Sequence, residues 1–132
     1  MAQLAPYINF VDTCHEAVSF YRDCLGGDLT IPTIGESPAA RHMPAEAQDQ
    51  VLHAMLTREG MVIMASDMAD PGAGTVGPIT LCINSSDRAE IKDHFAKLSD
   101  GANVTQPLKE EFFGLFGILA DRYGINEMFQ AD

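Results

Sequence analysis

Hydrophobic and polar positions follow first a strand pattern and then a helical pattern at the start of the chain. Residues 4–11 alternate as a strand, and apolar residues in 14–25 recur at the spacing of one helix face. Thr13 and Glu16 have the spacing of a capping box, and Gly26-Gly27 is expected to end the helix in a left-handed conformation. The other elements predicted in this half are strands at 28–34, 50–58 and 61–66, a long loop at 35–49 and a Gly/Pro linker at 67–77.

The second half repeats this order of elements. Residues 78–83 are predicted to form a strand, Ser86 or Asp87 caps a helix over 88–98, and Gly101 ends that helix. The remaining predictions are strands at 102–106, 115–120 and 125–130, a loop or short strand at 107–114 and a turn at 121–124.

The two halves also match each other at a constant offset of 75 residues. Asp12, Phe20, Gly26, Thr30 and Pro32 correspond to Asp87, Phe95, Gly101, Thr105 and Pro107. The repeat predicts an α+β domain of two βαβββ modules, module one at 1–70 and module two at 71–132. Because so small a sheet cannot bury both of its faces alone, we expect the halves to form a curved mixed sheet with a cleft on its concave side.

Several segments of the chain resemble the PhnB-like proteins of the vicinal oxygen chelate superfamily, which also contains glyoxalase I, bleomycin-resistance proteins and extradiol dioxygenases. These segments are Pro6–Phe10, Glu16–Tyr21, Leu25–Leu29, His53-Ala54, Ile63–Asp67 and Asp121–Gly124. The resemblance implies the glyoxalase/bleomycin-resistance/dioxygenase fold, a small-molecule ligand and a homodimer.

Relatives of this kind often carry the name 3-demethylubiquinone methyltransferase-like. Gly72-x-Gly74-x-x-Gly77 has the spacing of a dinucleotide motif, but residues 78–81 that follow it read as a strand. The motif depends on a helix N-terminus aimed at the ligand. The sequence therefore favours neither a nucleotide site nor methyl transfer.

Metal-dependent members of the superfamily hold a divalent ion with two residues from each module, on the first and fourth strands. The resemblance places these positions at Pro6, His53, Pro78 and Met128, and the offset of 75 also pairs His53 with Met128. A catalytic ion usually has three protein ligands, and only His53 is a ligand type here, so we expect no metal and no other cofactor. Glu127 would supply a second ligand only if the last strand shifted by one residue.

His53 has two open interpretations. It is either a structural histidine that is hydrogen-bonded inside a sheet or a polar anchor on a cleft floor that binds a ligand or transfers a proton. Strand alternation places Met55 on the face of His53, and the polar tips of Tyr7 and Asn9 are expected to point into the cleft. The predicted ligand-binding residues are His53, Met55, Tyr7, Asn9, Met64, Phe113, Phe116 and Glu127.

Residues 110–117 contain three phenylalanines separated by glycines. They form either core packing or a hydrophobic rim around a ligand, and the resemblance places Phe113 near the cleft mouth or a subunit interface. Asp67 and Asp121 lie at strand ends and are predicted to be turn and cap residues rather than catalytic acids. No nucleophile motif is present, so no catalytic residue is assigned.

The composition limits the partners and the location. Nineteen acidic residues against eight basic ones give a net charge of −11, which argues against nucleic acid and against an anionic membrane surface. No apolar run approaches the ~20 residues of a membrane span, and the first residues lack a signal-peptide pattern. Three cysteines without metal or redox spacing are expected to be reduced thiols of a cytoplasmic protein.

Three functions fit these observations. The preferred hypothesis is a metal-free protein that binds or sequesters a small organic molecule around His53. The second is a metal-dependent lyase or dioxygenase with His53 and Glu127 as remaining ligands. The third is a structural or interaction module whose cleft is filled by its own side chains.

Overall fold

The computed structural model describes residues 4–36, 41, 45, 48–67 and 79–132. The chain divides into two compact units, Met1–Ala73 and Gly74–Asp132. The elements of the first unit are β1 (Tyr7–Asn9), α1 (Cys14–Leu25), β2 (Asp28–Thr30), β3 (Ala54–Arg58) and β4 (Met61–Ser66). The elements of the second unit are β5 (Leu81–Ser85), α2 (Arg88–Leu98), β6 (Asn103–Glu111), β7 (Gly114–Ala120) and β8 (Asn126–Ala131).

Each unit contains one mixed sheet of four strands. The strand orders are β1-β4-β3-β2 and β5-β8-β7-β6, and the first pair of each sheet is parallel while the others are antiparallel. The predicted α+β fold of two βαβββ modules is confirmed. Neither α1 nor α2 has the length and apolarity that crossing a membrane requires.

One face of each sheet carries the core of its unit. In the first unit, Leu56 and Ile63 pair across β3 and β4, and both are buried, as is the apolar stripe of α1. In the second unit, the ring of Phe95 on α2 meets Phe129 on β8 edge-to-face, with centroids 5.0 Å apart. The opposite face of each sheet is less buried, and this is the face on which ligand-binding residues were expected.

The two helices begin with different caps. Asp87 caps α2 by accepting hydrogen bonds from the amides of Ala89 and Glu90. Of the two predicted caps, Ser86 and Asp87, the second is therefore the one observed. The capping box predicted for α1 is wrong, because Thr13 makes no side-chain cap bond. Asp67, which directly follows β4, caps α1 instead. Its Oδ1 accepts a hydrogen bond from the Cys14 amide at 2.8 Å.

Several strands are shorter than the hydrophobic pattern predicted. The strands expected at 4–11 and 28–34 reduce to β1 and β2, and the one expected at 50–58 begins only at Ala54. Val51 makes an isolated bridge to Thr33 instead, so the chain leaves the regular ladder before β3. The strand predicted at 78–83 lies at Leu81–Ser85. Most of the predicted 35–49 loop and 67–77 linker lies outside the described residues.

The chain from 103 to 111 is one continuous strand, where the sequence predicts a strand at 102–106 and a loop or short strand at 107–114. It continues through Pro107, which has no N–H to donate to a neighbour. Strand β6 tolerates the proline because it is the edge of its sheet, and its register shifts between Val104 and Gln106 and between Gln106 and Lys109.

The offset of 75 residues pairs His53 with Met128, and the strand registers show a different pairing. The row Tyr7–Met64–Met55 of the first sheet corresponds to the row Cys82–Met128–Ile118 of the second. Met128 is therefore the counterpart of Met64, and the pairing of Met128 with His53 is wrong. The constant offset fails because residues 31–53 connect β2 to β3, whereas only residues 112–113 connect β6 to β7.

Candidate functional site

The face of the first sheet that points away from the Leu56 and Ile63 core carries a row of predicted site residues. Tyr7 pairs with Met64, Met64 with Met55, and Met55 with Thr30. Residues that pair directly across neighbouring strands point to the same face. We call this side, with Tyr7, Asn9, His53, Met55, Met64 and Ser66, the open face of the first sheet.

Tyr7 and His53 are in contact on the open face. The Tyr7 hydroxyl oxygen lies 3.3 Å from Nδ1 of His53, and the ring centroids are 5.6 Å apart. Tyr7 is 45% exposed and His53 is half-buried, so the pair is accessible to solvent. A neutral imidazole has one donor and one acceptor nitrogen, so the tautomer that Tyr7 favours decides what Nε2 offers to a ligand.

Asn9 and Ser66 form the next row of the open face. They pair across β1 and β4, two residues beyond Tyr7 and Met64. Asn9 is exposed, whereas Ser66 is 1% exposed and its Oγ is enclosed without a hydrogen-bond partner among the described residues. Ser66 is a residue of this face that the predicted ligand-binding set does not include. Strict alternation from Met64 along β4 is the signal that could have found it.

A buried carboxylate holds the segment that leads into His53. Oδ2 of Asp67 accepts the Val51 amide at 3.0 Å, and the Asp67 amide donates to the Val51 carbonyl at 3.1 Å. The Gln50 side chain adds a 2.7 Å hydrogen bond to Asp12. Together with the bond to the Cys14 amide, the contacts of Asp67 confirm its predicted cap role.

Cys14 is not a nucleophile in this arrangement. Burial, and secondarily the nearby Asp67 carboxylate, raises the pKa of the Cys14 thiol to about 12. A thiol with so high a pKa carries almost no thiolate at neutral pH. Cys24 is also buried, whereas Cys82 is exposed.

The aromatic residues predicted in the second unit lie at the turn between β6 and β7. Phe112 is fully exposed and Phe113 is 42% exposed, and their rings meet edge-to-face at 5.1 Å. The Phe113 ring makes a similar contact with Phe116 at 5.3 Å. Phe116 alternates with the buried Leu115, so it lies on the less buried face of the second sheet. Core packing alone therefore does not explain this aromatic cluster.

Glu127 lies on the other face of the second sheet from Phe116. It shares its face with Phe129, which packs on α2, and it is 3% exposed. Burial, followed by the charge of Asp121 and a side-chain hydrogen bond to it, raises the pKa of Glu127 to about 9. Glu127 is therefore a neutral acid at pH 7. The structure does not bring Glu127 and Phe116 together on one face.

Asp121 forms the turn before β8. Its Oδ1 accepts hydrogen bonds from the amides of Tyr123 at 2.8 Å and Ile125 at 3.1 Å. These bonds confirm the predicted turn role, since aspartate commonly binds backbone amides that follow it.

The residues at the four superfamily metal positions do not fit a metal ion. Pro6 has no donor side chain, and residue 78 is also a proline by sequence. His53 immediately precedes β3, the third strand of its module, and does not lie on the fourth strand, while Met128 offers only a thioether. Among the described residues, no three His, Cys, Asp or Glu side chains are grouped so that they could hold an ion.

Comparison with known proteins assigns the chain to a family. A family model described as 3-demethylubiquinone-9 3-methyltransferase matches residues 2–130. The chain belongs to this family of PhnB-like proteins. Protein YjdN of Escherichia coli (strain K12) is 28% identical over 132 residues, covering 92% of this chain and 90% of that protein.

Solved structures show the same fold. Protein PA1353 from Pseudomonas aeruginosa is 32% identical with a TM-score of 0.86, covering 100% of this chain and 98% of the other. The PhnB protein from Bacillus cereus is 23% identical with a TM-score of 0.79, covering 99% and 100%. A glyoxylase/bleomycin resistance protein/dioxygenase domain from Frankia sp. EAN1pec is 16% identical with a TM-score of 0.63, covering 99% and 95%. The predicted glyoxalase-type fold is confirmed.

The family description implies a methyl donor, and in the described residues the starts of both helices are already capped by carboxylates of the chain. Helix N-termini can bind the anionic groups of a nucleotide or amino-acid cofactor through free amides. In α1, Asp67 occupies the Cys14 amide, and in α2, Asp87 occupies the amides of Ala89 and Glu90. The glycines at 72, 74 and 77 lie outside the described residues.

Proposed function

We propose that the protein binds a small organic molecule on the open face of the first sheet, around His53, without a catalytic metal. The observation that carries the proposal is the 3.3 Å contact between the Tyr7 hydroxyl and Nδ1 of His53 on a solvent-accessible face. Ligand sites combine apolar surface with a few fixed polar groups, and here Met55 and Met64 lie beside that pair.

The donor set supports the metal-free part of the proposal. His53 is a single imidazole, and Tyr7 already contacts one of its two ring nitrogens. Glu127, the second ligand of the metal-dependent alternative, is buried on the face of the second sheet that packs on α2. Metal analysis of protein purified without chelator tests this point. Stoichiometric zinc, nickel or iron would overturn it, and substoichiometric traces that chelator removes without loss of stability would support it.

A thermal-shift screen of the full chain against a broad panel of small organic compounds tests ligand binding. A ligand that binds only the folded state raises the midpoint of unfolding, and the shift saturates with concentration. We expect saturable stabilisation of the wild type that disappears in His53→Ala. His15→Ala is the matched control, because His15 is an exposed histidine on α1. Equal shifts in all three proteins would contradict the proposal.

The same screen separates ligand binding from a purely structural or interaction module. If no compound of the panel stabilises the protein, the open face has no ligand of these classes, and the module hypothesis is favoured. The second-sheet residues Phe113, Phe116 and Glu127 remain ligand-binding predictions. Glu127 lies on the face of the second sheet that packs on α2, opposite to the face of Phe116.

We further propose a cytoplasmic homodimer, as the resemblance to PhnB-like proteins implies. The exposed Phe112 and Phe113 support the dimer, because large exposed aromatic side chains are enriched at protein interfaces. The three cysteines, which have no disulfide-framework spacing, agree with a reducing compartment. Light scattering after size-exclusion chromatography gives the mass. A monomer at tens of micromolar protein would contradict the dimer.

A further inference from the structure

We infer that the ligand class is an uncharged carbonyl compound, whose oxygen accepts a hydrogen bond from Ser66 and whose apolar part lies on Met55 and Met64. This inference rests on the proposed function and adds the chemistry that the open face of the first sheet would recognise. The observations that carry it are an enclosed hydroxyl without a partner, the charge of the surrounding side chains and the spacing of two rows of the sheet.

The hydroxyl of Ser66 is the group that lacks a partner. Ser66 is 1% exposed, and its Oγ has no hydrogen bond within the described parts of the chain. Buried polar groups are nearly always hydrogen-bonded, and leaving one unpaired is costly. The adjacent Asp67 carboxylate does not relieve it: its two oxygens accept the amides of Cys14 and Val51, and neither of them accepts a hydrogen bond from Ser66 Oγ. A ligand oxygen that reaches Ser66 would supply the missing acceptor.

The surroundings of Ser66 favour a neutral ligand over an anion. Its partner across β1 and β4 is Asn9, and the open face also carries the imidazole of His53 and the phenol of Tyr7. No lysine or arginine occurs in the paired rows of this face, and the guanidinium of Arg58 donates instead to the Leu25 carbonyl. An anion would meet no fixed cation here in a chain whose net charge is −11.

The apolar part of the ligand is assigned to the methionine row. Met55 and Met64 pair directly across β3 and β4, and both are half-buried. Thioether side chains adapt to irregular shapes and make favourable contacts with flat rings. Met64 and Ser66 are two residues apart on one strand, which is ~7 Å in a β-strand. That span suits a carbonyl group attached to a single ring.

The test is a titration of the isotope-labelled full chain, followed by NMR, with three probes of similar size. Acetophenone carries the neutral carbonyl, ethylbenzene lacks the oxygen and benzoate is the anion. We expect acetophenone to bind tightest, with amide shifts at Asn9, Met64 and Ser66. Ser66→Ala is expected to weaken acetophenone about two- to tenfold, the effect of one neutral hydrogen bond, without changing the Kd of ethylbenzene.

Two controls keep the outcome interpretable. Ser66→Ala is expected to leave the unfolding midpoint unchanged or slightly raised, because the hydroxyl has no partner to lose. A variant that fails to fold would show that the hydroxyl is structural and would overturn the inference. Thr57→Val removes a hydroxyl from the row of Asp28 and Val62 on the same face and should change none of the three affinities.

The remaining outcomes distinguish this inference from the proposed function. If benzoate or ethylbenzene binds the open face as tightly as acetophenone, or if Ser66→Ala leaves the acetophenone Kd unchanged, the ligand class is wrong while the site stands. If none of the three probes shifts these amides, the inference fails. A broad compound panel that also fails then removes the proposed function.

Discussion

The hydroxyl oxygen of Tyr7 lies 3.3 Å from Nδ1 of His53, although 46 positions separate the two residues in the chain. The contact exists because β4 pairs with β1 on one side and with β3 on the other, which brings the start of β3 within reach of Tyr7. It fixes one ring nitrogen of His53 and leaves the other for a ligand.

Tyr7→Phe is expected to change the tautomer balance of His53 while the fold remains. The phenol is partly exposed, so its removal should cost less than about 1 kcal/mol of unfolding free energy. Side-chain nitrogen NMR of His53 should show a shift at Nδ1, whereas the exposed His15 on α1 keeps its spectrum. Unchanged His53 resonances would mean that the contact does not form in solution.

Asp67→Asn should destabilise the first unit by about 2–4 kcal/mol. The carboxylate accepts two buried amides, and an asparagine offers one oxygen and places an NH2 group against the second N–H. Urea denaturation measures the loss. Asp28→Asn, at an exposed position of β2, should stay within about 0.5 kcal/mol of wild type. Equal effects of the two substitutions would show that the Asp67 bonds contribute little.

The stability of the protein should fall as the pH rises from about 4.5 to about 9. The pKa of Glu127 is about 9 in the folded protein against 4.5 for a free glutamate, so the folded state keeps a proton that the unfolded chain releases in this window. The resulting stabilisation is fully present below pH 4.5. It is then lost by up to about 1.4 kcal/mol per pH unit.

Glu127→Gln isolates this effect. The amide does not titrate, so the part of the pH slope that Glu127 causes should disappear between pH 5 and pH 9. Glu59→Gln, in the exposed turn between β3 and β4, should keep the wild-type slope. Denaturation curves at several pH values give both slopes. A Glu127→Gln protein with an unaltered slope would contradict a protonated Glu127.

Gly114→Ala should destabilise the second unit by about 2–4 kcal/mol. Gly114 follows Phe113 with φ near +129°, and a Cβ there would overlap the carbonyl oxygen of Ala131. Gly60→Ala is the matched control, since its φ is also positive but nothing lies within 4 Å of the added carbon. We expect it to cost about 1 kcal/mol in thermal or urea denaturation. Similar losses would show that the backbone relaxes around residue 114.

The local parts of the fold could be predicted from the sequence. The bounds predicted for both helices agree with the observed ones. An apolar stripe marks each helix, Gly26-Gly27 follow the end of α1, and Asp87 precedes the start of α2. The first strands were predicted too long, because alternation continues beyond the residues that find partners. Strand β6 was divided at Pro107, since the sequence does not reveal that this strand is an edge.

The candidate site was predictable only in part. Alternation along β1 and β3 correctly placed Tyr7 and Met55 on one face, but their contact partners depend on strand order, which local patterns do not encode. Because strand order is not encoded locally, the cap of α1 was expected at Thr13, whereas Asp67 provides it. For the same reason Met128 was paired with His53, whereas its counterpart is Met64. The unpartnered Ser66 hydroxyl depends on packing alone.

The most direct test of the proposed site is an NMR compound screen of the full chain in the presence of chelator, repeated with His53→Ala. We predict saturable amide shifts that cluster at Tyr7, Asn9, Met55 and Met64 in the wild type, that need no added metal and that vanish in the variant. Shifts that survive in His53→Ala, cluster elsewhere or require a divalent ion would contradict a metal-free ligand site on the open face of the first sheet.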